Sequence, residues 1–309
     1  MVLKFYFKIS TGIIVAAFMT CCGGRPVSVT GGRVADSTVT FRLPDIPNAI
    51  NGPAERSIYL SEHYWDYFDF QDTSLIHKPD ISEQAFANYI LLLDNLPAAT
   101  VKESMEILIK RASQNWDIQN FIIDLFGKYL YEPNSPYRNE DLYIPFLEIL
   151  VKLPSARTED VMTGEFRLKM ALKNRPGSVA ADFSYGDGSG RTGRLSEVES
   201  EYVLLFFYDP DCENCREASR MLADSPVSSC RRLKIMAIYP DDDVEAWKEK
   251  MNDFPGHWIN GYSPEGEVVR KNLYDVKAMP SFYVLNRDKK VVLKDVALEY
   301  ALAYLDSAL

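Results

Sequence analysis

The chain has 309 residues, 47% of them hydrophobic and 25% charged, a composition typical of folded proteins that excludes general disorder. Its length is about twice that of a typical single domain, which favours two hydrophobic cores over one. A net charge of -10 and a pI near 5.0 exclude a sequence-independent phosphate-binding surface, which needs clustered Lys and Arg, so we expect no nucleic-acid partner.

The first 21 residues have the pattern of a signal peptide. Lys4 and Lys8 form a positively charged start, and the apolar run at 9–19 has the usual length of a signal core. That run is shorter than the roughly 20 apolar residues of a membrane-spanning helix. Cysteines directly after it resemble a bacterial lipobox, in which the thiol is lipidated, and this implies a lipid anchor on Cys21 or else on Cys22. A conventionally cleaved signal and an uncleaved anchor stay open.

The signal pattern predicts a lipid-anchored protein of the cell envelope that faces the periplasm and meets the membrane through its N-terminal lipid. Disulfides persist outside the cytoplasm, so a close cysteine pair there can be oxidised, reduced or exchanged. The cysteines that remain in the predicted folded part are Cys212, Cys215 and Cys230.

The next two segments differ in their periodicity. Residues 22–56 are rich in Gly, Pro, Ser, Thr and Val, which predicts a tether and an extended lead-in; only residues 38–43 alternate as a strand does. Residues 57–174 have helical spacing and predict an all-α domain. Asp80 with Glu83, and Thr100 with Glu103, are interpreted as capping boxes. An aromatic cluster has the spacing of a buried helix face and is interpreted as core rather than as a ligand site: Tyr59, Tyr64, Trp65, Tyr67, Phe68 and Phe70.

After a helix stop at 174–177 the pattern changes to strands alternating with helices. Residues 203–208 and 234–239 are short apolar runs of the kind found in buried strands, with a helical pattern between them. Three acids, Asp241 to Asp243, are placed to cap the next helix, and residues 258–262 suggest a short strand. A hairpin at 281–295 and a closing helix from Ala297 follow. This order predicts an α/β fold over residues 177–309, a mixed sheet flanked by helices.

Cys212 and Cys215 lie in the run YDPDCENCREA, after a buried strand and at the start of a helix. This placement of a CxxC motif indicates a redox dithiol. A cysteine in the first helical turn faces unpaired backbone N–H groups and the positive end of the helix dipole, and both favour the thiolate. We expect Cys212 to be the attacking thiolate and Cys215, one turn further, to resolve the mixed disulfide.

The order strand, YDPDCENC, helix and then AMPSFYVL resembles the thioredoxin superfamily, in its exported TlpA-like branch. The resemblance covers residues 177–309 and implies a thioredoxin fold with thiol-disulfide oxidoreductase activity and no diffusible cofactor. In that family a cis proline packs against the dithiol, and the backbone before it pairs with the incoming peptide. These roles would fall to Pro280 and Met279.

The helical domain resembles a domain of uncharacterised function that precedes thioredoxin-like domains in bacterial lipoproteins. The segments HYWDYFDFQDT and ALKNRPGSVAADF carry that resemblance, which implies no reaction.

Three acidic residues surround the first cysteine: Asp209, Asp211 and Glu213. The helix dipole stabilises a thiolate by about 0.3–1 kcal/mol, whereas like-charge repulsion from these carboxylates opposes it. Phe206 stands where thioredoxin has a buried Asp that assists proton transfer. We expect the two effects on the thiolate nearly to cancel, which predicts a reducing rather than a strongly oxidising couple.

Other interpretations of the cysteine pair remain. Structural zinc needs four ligands, but Cys230 is the only other cysteine of the folded part and the three histidines are separated, so we expect no metal. Peroxidase chemistry would need a Thr and a Pro upstream of the thiol, where Leu205 and Asp209 stand. A structural disulfide and a reduced core pair stay open. Cys230 itself is interpreted as a small buried hydrophobic residue.

The leading hypothesis is an extracytoplasmic thiol-disulfide oxidoreductase that reduces disulfides of envelope proteins and receives electrons from an upstream thiol donor. The alternative is a non-catalytic envelope lipoprotein whose helical domain binds a partner and whose thioredoxin fold carries a structural disulfide.

Overall fold

The computed structural model describes residues 40–309, except for the side chain of Asn252. The predicted signal peptide, Cys21 and Cys22, and most of the predicted tether lie outside the described residues. Within the described part, the structure contains no helix with the length and apolar character needed to cross a bilayer.

Residues 40–174, here called the helical part, fold into an all-α core. Its helices are α1 (Pro53–His63), α2 (Ser82–Leu93), α3 (Ala98–Ala112), α4 (Trp116–Leu130), α5 (Glu140–Leu150) and α6 (Thr158–Ala171). The first begins at Pro53 because proline fits the first helical turn, where its missing N–H is not needed. At the centre of the core the rings of Phe126 and Phe146 stack with centroids 4.0 Å apart.

The aromatic cluster predicted as core is mostly buried. Its buried members are Tyr64, Trp65, Phe68 and Phe70, whereas Tyr59 is half-buried and Tyr67 is exposed.

Phe41 covers this cluster, with its ring centroid 5.1 Å from that of Tyr64 and 5.4 Å from that of Trp65. Phe41 therefore fixes this segment by side-chain packing, and the strand predicted there is wrong for residues 40–43.

Both predicted capping boxes are wrong. The helix α2 begins at Ser82 with no side-chain cap, because the amides of Ser82 and Glu83 already donate to the carbonyls of Lys78 and Pro79. The helix α3 begins directly after Pro97, so Thr100 lies inside its first turn rather than before it.

Residues 175–309, here called the sheet part, contain the strands β1 (Ser184–Gly186), β2 (Thr192–Arg194), β3 (Tyr202–Phe207), β4 (Leu233–Tyr239), β5 (Ile259–Tyr262), β6 (Ser281–Asn286) and β7 (Val291–Val296). Their helices are α7 (Glu213–Asp224), α8 (Val244–Lys250), α9 (Glu267–Arg270) and α10 (Leu298–Ala308). One sheet runs in the order β2-β1-β5-β4-β3-β6-β7. The strands β3, β4 and β5 are parallel and the other neighbours antiparallel, which confirms the predicted α/β fold with a mixed sheet.

The sequence analysis did not predict β1 and β2, which have three residues each and are too short to show alternation. The predicted cap of α8 is confirmed, since the Asp243 side chain accepts a hydrogen bond from the amide of Ala246 at 3.1 Å.

The central strand β3 is buried on both faces. Leu204 and Phe206 belong to the core that also contains Cys215, whereas Leu205 and Phe207 belong to the core on the opposite face. This alternation is the period of two of an extended strand. A buried, rigid strand therefore leads into the loop that carries Cys212.

The stop predicted between the two parts is built around Asn174, which has a left-handed backbone (φ 49°) that Asn tolerates better than most residues. Its side chain donates to the carbonyl of Leu273 and accepts from the amide of Ala181, both at 2.8 Å. The chain is thus fastened to the sheet part at this turn.

Candidate redox site

Cys212 is the N-cap residue of α7. Its Sγ accepts a hydrogen bond from the amide of Cys215, with the two atoms 3.3 Å apart, and its own amide donates to the carbonyl of Asp209 at 3.1 Å. A sulfur in this place meets one of the helix-terminal N–H groups that have no partner within the helix. The thiol is only half-buried. An attacking sulfur needs a hydrogen-bond donor that stabilises its thiolate and enough exposure to reach a substrate, and Cys212 has both.

Cys215 lies one turn into α7 and is buried, with 2% of its surface exposed. Both cysteines are free thiols in this structure. Burial raises the pKa of the Cys215 thiol far above its usual range, and the neighbouring Cys212 and the charge of Asp209 raise it further. Cys215 is therefore a protonated thiol at neutral pH, protected from bulk solvent.

The loop before β6 brings the backbone carbonyl of Met279 to the dithiol. The peptide bond between Met279 and Pro280 is cis. The Cys212 Sγ lies 3.6 Å from the carbonyl oxygen of Met279, to which the thiol can donate. Cys212 and Met279, which are far apart in the sequence, are thus neighbours in the folded protein.

The three acids do not act as one group. Asp209 is the acid whose charge acts on Cys215, and its carboxylate accepts a hydrogen bond from the amide of Asp211 at 2.8 Å. Asp211 and Glu213 are exposed, and Glu213 forms an ion pair with Arg216 one turn along the helix. Of the three, Asp209 has the clearest route to influence the thiols.

A cleft of about 430 Å³ opens beside Cys215, and basic side chains that the sequence analysis did not consider line it. The cleft is lined by three basic side chains, Arg216, Arg220 and Lys250, and by two acidic ones, Asp209 and Asp253. The rim is therefore mixed in charge rather than acidic. The spacing of four between the two arginines on one helix was the available sequence signal.

Aromatic rings form the floor beneath the dithiol. Phe206, at the position where thioredoxin has a buried Asp, is fully buried and stacks on Phe282 with centroids 4.8 Å apart. Tyr208 donates from its hydroxyl to Asn260 Oδ1 at 3.0 Å and packs on Phe254.

The remaining candidates lie apart from the dithiol. Cys230 is partly buried against the same core, directly before β4. His257 bonds through Nε2 to the carbonyl of Ser228 at 3.0 Å. Within residues 40–309 no group of three or more His, Cys, Asp or Glu side chains could hold a metal ion.

Comparison with known proteins gives the family. A thioredoxin-like protein from Bacteroides caccae has a crystal structure that is 38% identical, over 88% of this chain and 99% of that chain, with a TM-score of 0.80. The chain belongs to the thioredoxin-like proteins. Residues 176–294 match the AhpC/TSA family, and residues 25–174 match a domain of unknown function, DUF5106.

Two further relatives match the chain over part of its length. The C-terminal domain of an uncharacterized protein from Bacteroides fragilis is 41% identical over 44% of this chain and 99% of that chain, with a TM-score of 0.43. Nucleoredoxin from Xenopus laevis is 27% identical over 109 residues, which are 34% of this chain and 26% of that protein. The chain therefore spans only about a quarter of that curated relative.

Proposed function

We propose that this thioredoxin-like protein is an exported, lipid-anchored oxidoreductase that reduces disulfides of envelope proteins through Cys212 and Cys215. The observation that carries the proposal is the position of the Cys212 sulfur. It is half-exposed at the N-cap of α7, 3.6 Å from the Met279 carbonyl, with the protonated Cys215 thiol behind it. The signal pattern at residues 1–21 supports the envelope location.

The reaction uses two exchanges. The Cys212 thiolate attacks one sulfur of a substrate disulfide, which breaks that S–S bond, forms a mixed disulfide and releases the first substrate thiolate. Cys215 then attacks the Cys212 sulfur and loses its proton to a departing thiolate, which releases the second substrate thiol. The substrate gains two electrons, and the dithiol becomes a disulfide. An upstream thiol donor reduces it again.

Each group of the site has one task in this scheme. The amide of Cys215 stabilises the Cys212 thiolate until attack. The high pKa of Cys215 keeps the resolving thiol protonated until the mixed disulfide forms. The backbone at Met279 pairs with the substrate chain. No diffusible cofactor takes part, because both electrons pass between thiols and disulfides.

Replacing Cys215 with serine should trap the first step. We expect Cys215→Ser to accumulate mixed disulfides between Cys212 and envelope proteins, because the group that resolves them is gone. Non-reducing electrophoresis followed by mass spectrometry of the cross-linked peptides would identify both partners.

Two controls accompany the trapping experiment. The double variant Cys212→Ser, Cys215→Ser should trap nothing, and Cys215→Ser combined with Cys230→Ser should trap as much as Cys215→Ser alone. If nothing is trapped, and the wild-type Cys212–Cys215 disulfide resists reduction, the chain is better explained as a binding lipoprotein with a structural disulfide.

The polarity of the couple is a separate prediction. We expect a reduction potential nearer to about -270 mV, as in thioredoxin, than to about -120 mV, as in DsbA, because the charge of Asp209 beside the dithiol opposes the thiolate that the start of α7 favours. Equilibration with glutathione buffers would measure it. Asp209→Asn should make the potential less negative, whereas Glu213→Gln should change it little, since Arg216 already pairs with Glu213. A wild-type potential near -120 mV would contradict a reductase.

A further inference from the structure

Asp295, near the end of β7, has a left-handed backbone conformation with φ 47°. The pairing of β6 with β7 shifts register beside it, next to Phe282. A residue other than glycine in this conformation costs on the order of 1 kcal/mol and persists only where its surroundings hold it. The neighbours of Asp295 must therefore hold this backbone conformation in place.

The Asp295 carboxylate is mostly buried, with 13% of the side chain exposed, and three polar groups surround it. Arg138, from the loop between α4 and α5, lies 3.0 Å from Oδ2, and Lys277 Nζ lies 3.1 Å from the same oxygen. The Ser281 hydroxyl lies 3.2 Å from Oδ1, and its one hydrogen is shared between this oxygen and the Ala278 carbonyl. Arg138 also donates to the backbone carbonyl of Asp295 at 2.7 Å, so it holds both the side chain and the unusual backbone.

Two of these donors bracket the loop at the dithiol. Lys277 precedes Met279 and Pro280, and Ser281 follows them directly. The Ser281 hydroxyl also approaches the Ala278 carbonyl at 2.8 Å, and the next carbonyl, that of Met279, is the one 3.6 Å from Cys212 Sγ. Asp295 thus holds the loop on both sides of the carbonyl that touches the reactive sulfur.

The same cluster joins the loop to the helical part. Lys277 Nζ lies 5.0 Å above the ring of Tyr131 and 2.8 Å from Asp275. Burial alone would lower the pKa of Lys277, but the charges of Asp295 and Asp275 outweigh burial and raise it, so the side chain is a cation. A continuous set of polar contacts therefore runs from Arg138 through Asp295 to the loop.

We propose that Asp295 is a positioning residue for disulfide exchange, and that Arg138 of the helical part acts through it to set the Met279 carbonyl against Cys212 and the incoming peptide. The inference rests on the proposed function, because it concerns how a substrate chain is held at that site. The contacts of Arg138 and Asp295 with the loop at 277–281 are here called the clamp. The proposal gives the DUF5106 domain a role, because the helical part supplies Arg138 to the clamp.

The interface between the two parts contains a matched control. Arg175 pairs with Glu140 and Asp141 across the same interface but makes no ion pair with the loop at 277–281. Arg175→Gln therefore weakens the interface without touching the clamp, whereas Arg138→Gln and Asp295→Asn remove the clamp itself.

The first readout is kinetic and uses reduced full-length protein. For a disulfide-bonded peptide, we expect Arg138→Gln and Asp295→Asn to raise KM by roughly tenfold with little change in kcat, a typical coupling between sites. Reaction with a small aromatic disulfide, which needs no backbone pairing, should stay within about twofold of wild type. Arg175→Gln should match wild type for both substrates.

The second readout does not depend on activity. Hydrogen exchange of the segment 277–281, followed by mass spectrometry, should become roughly tenfold faster in both clamp variants and stay unchanged in Arg175→Gln. Arg138→Lys, which keeps the positive charge, should restore part of the protection.

Each outcome decides the proposal. Unchanged exchange at 277–281 in both clamp variants, or an equal effect of Arg175→Gln, would overturn it. If Asp295→Asn fails to fold, Arg138→Gln alone decides. If wild-type protein reduces no disulfide, the proposed function fails, and the hydrogen-exchange result still shows whether the clamp orders the loop.

Discussion

Cys212→Ser is expected to slow the reduction of a peptide disulfide by at least roughly 1,000-fold, because a serine hydroxyl does not ionise to a nucleophile at neutral pH. Cys215 cannot take its place. That thiol is buried, and its pKa is raised by burial, so it stays protonated and out of reach. A stopped-flow assay of peptide reduction with excess dithiothreitol as the electron source would measure the loss.

Cys230→Ser is the matched control for this substitution. It removes a partly buried thiol that belongs to the same core but is not part of the CxxC motif. We expect it to retain wild-type turnover. Substantial residual activity in Cys212→Ser, or an equal loss in Cys230→Ser, would show that the reaction does not begin at Cys212.

Lys294→Met is expected to lower the free energy of unfolding by about 1–3 kcal/mol, the cost of leaving buried acceptors without a donor. The Lys294 side chain is 5% exposed and lies 2.9 Å from Glu140 Oε1. It also donates to the carbonyls of Ala171 and Lys173, at 2.8 and 2.7 Å, where α6 ends. Burial lowers the pKa of Lys294, and the charge of Glu140 opposes that shift. A methionine would remove the donor to the carbonyls of Ala171 and Lys173, whereas Glu140 would keep its ion pair with Arg175.

Urea unfolding followed by tryptophan fluorescence would measure the change. The control is Lys290→Met, since Lys290 stands before the same strand but is exposed, and its removal should cost little. Equal stability of the two variants would mean that Lys294 does not fasten the helical part to the sheet part.

Local sequence patterns were sufficient for much of the fold. Short apolar runs identified the central strands because a strand buried on both faces must be apolar throughout. Helical periodicity identified the all-α part, and CENC after such a strand located the dithiol. Sequence patterns gave wrong predictions at places where contacts outside the pattern determine the local structure. Asp80 does not cap α2 because the amides of Ser82 and Glu83 already donate to the carbonyls of Lys78 and Pro79. Residues 40–43 do not form a strand, and Phe41 packs on Trp65 instead.

The candidate site divides in the same way. The CxxC motif, its helix and the Met279-Pro280 dipeptide can be read from the sequence, because each depends on neighbouring residues and on resemblance. Sequence alone did not show that Glu213 is paired with Arg216, or that three basic side chains line the cleft beside Cys215. The lining of the cleft depends on which side of each helix faces it, and the packing of α7 and α8 in the folded protein decides this.

The sequence by itself identified the candidate redox residues and the kind of element in which each lies, since helix starts and buried strands have local causes. Only the tertiary structure placed the Met279 carbonyl 3.6 Å from the Cys212 sulfur and joined Arg138 to Asp295, residues from the two separate parts of the chain. Such contacts depend on how helices and sheet pack together, because side chains meet across the fold only after both cores have formed.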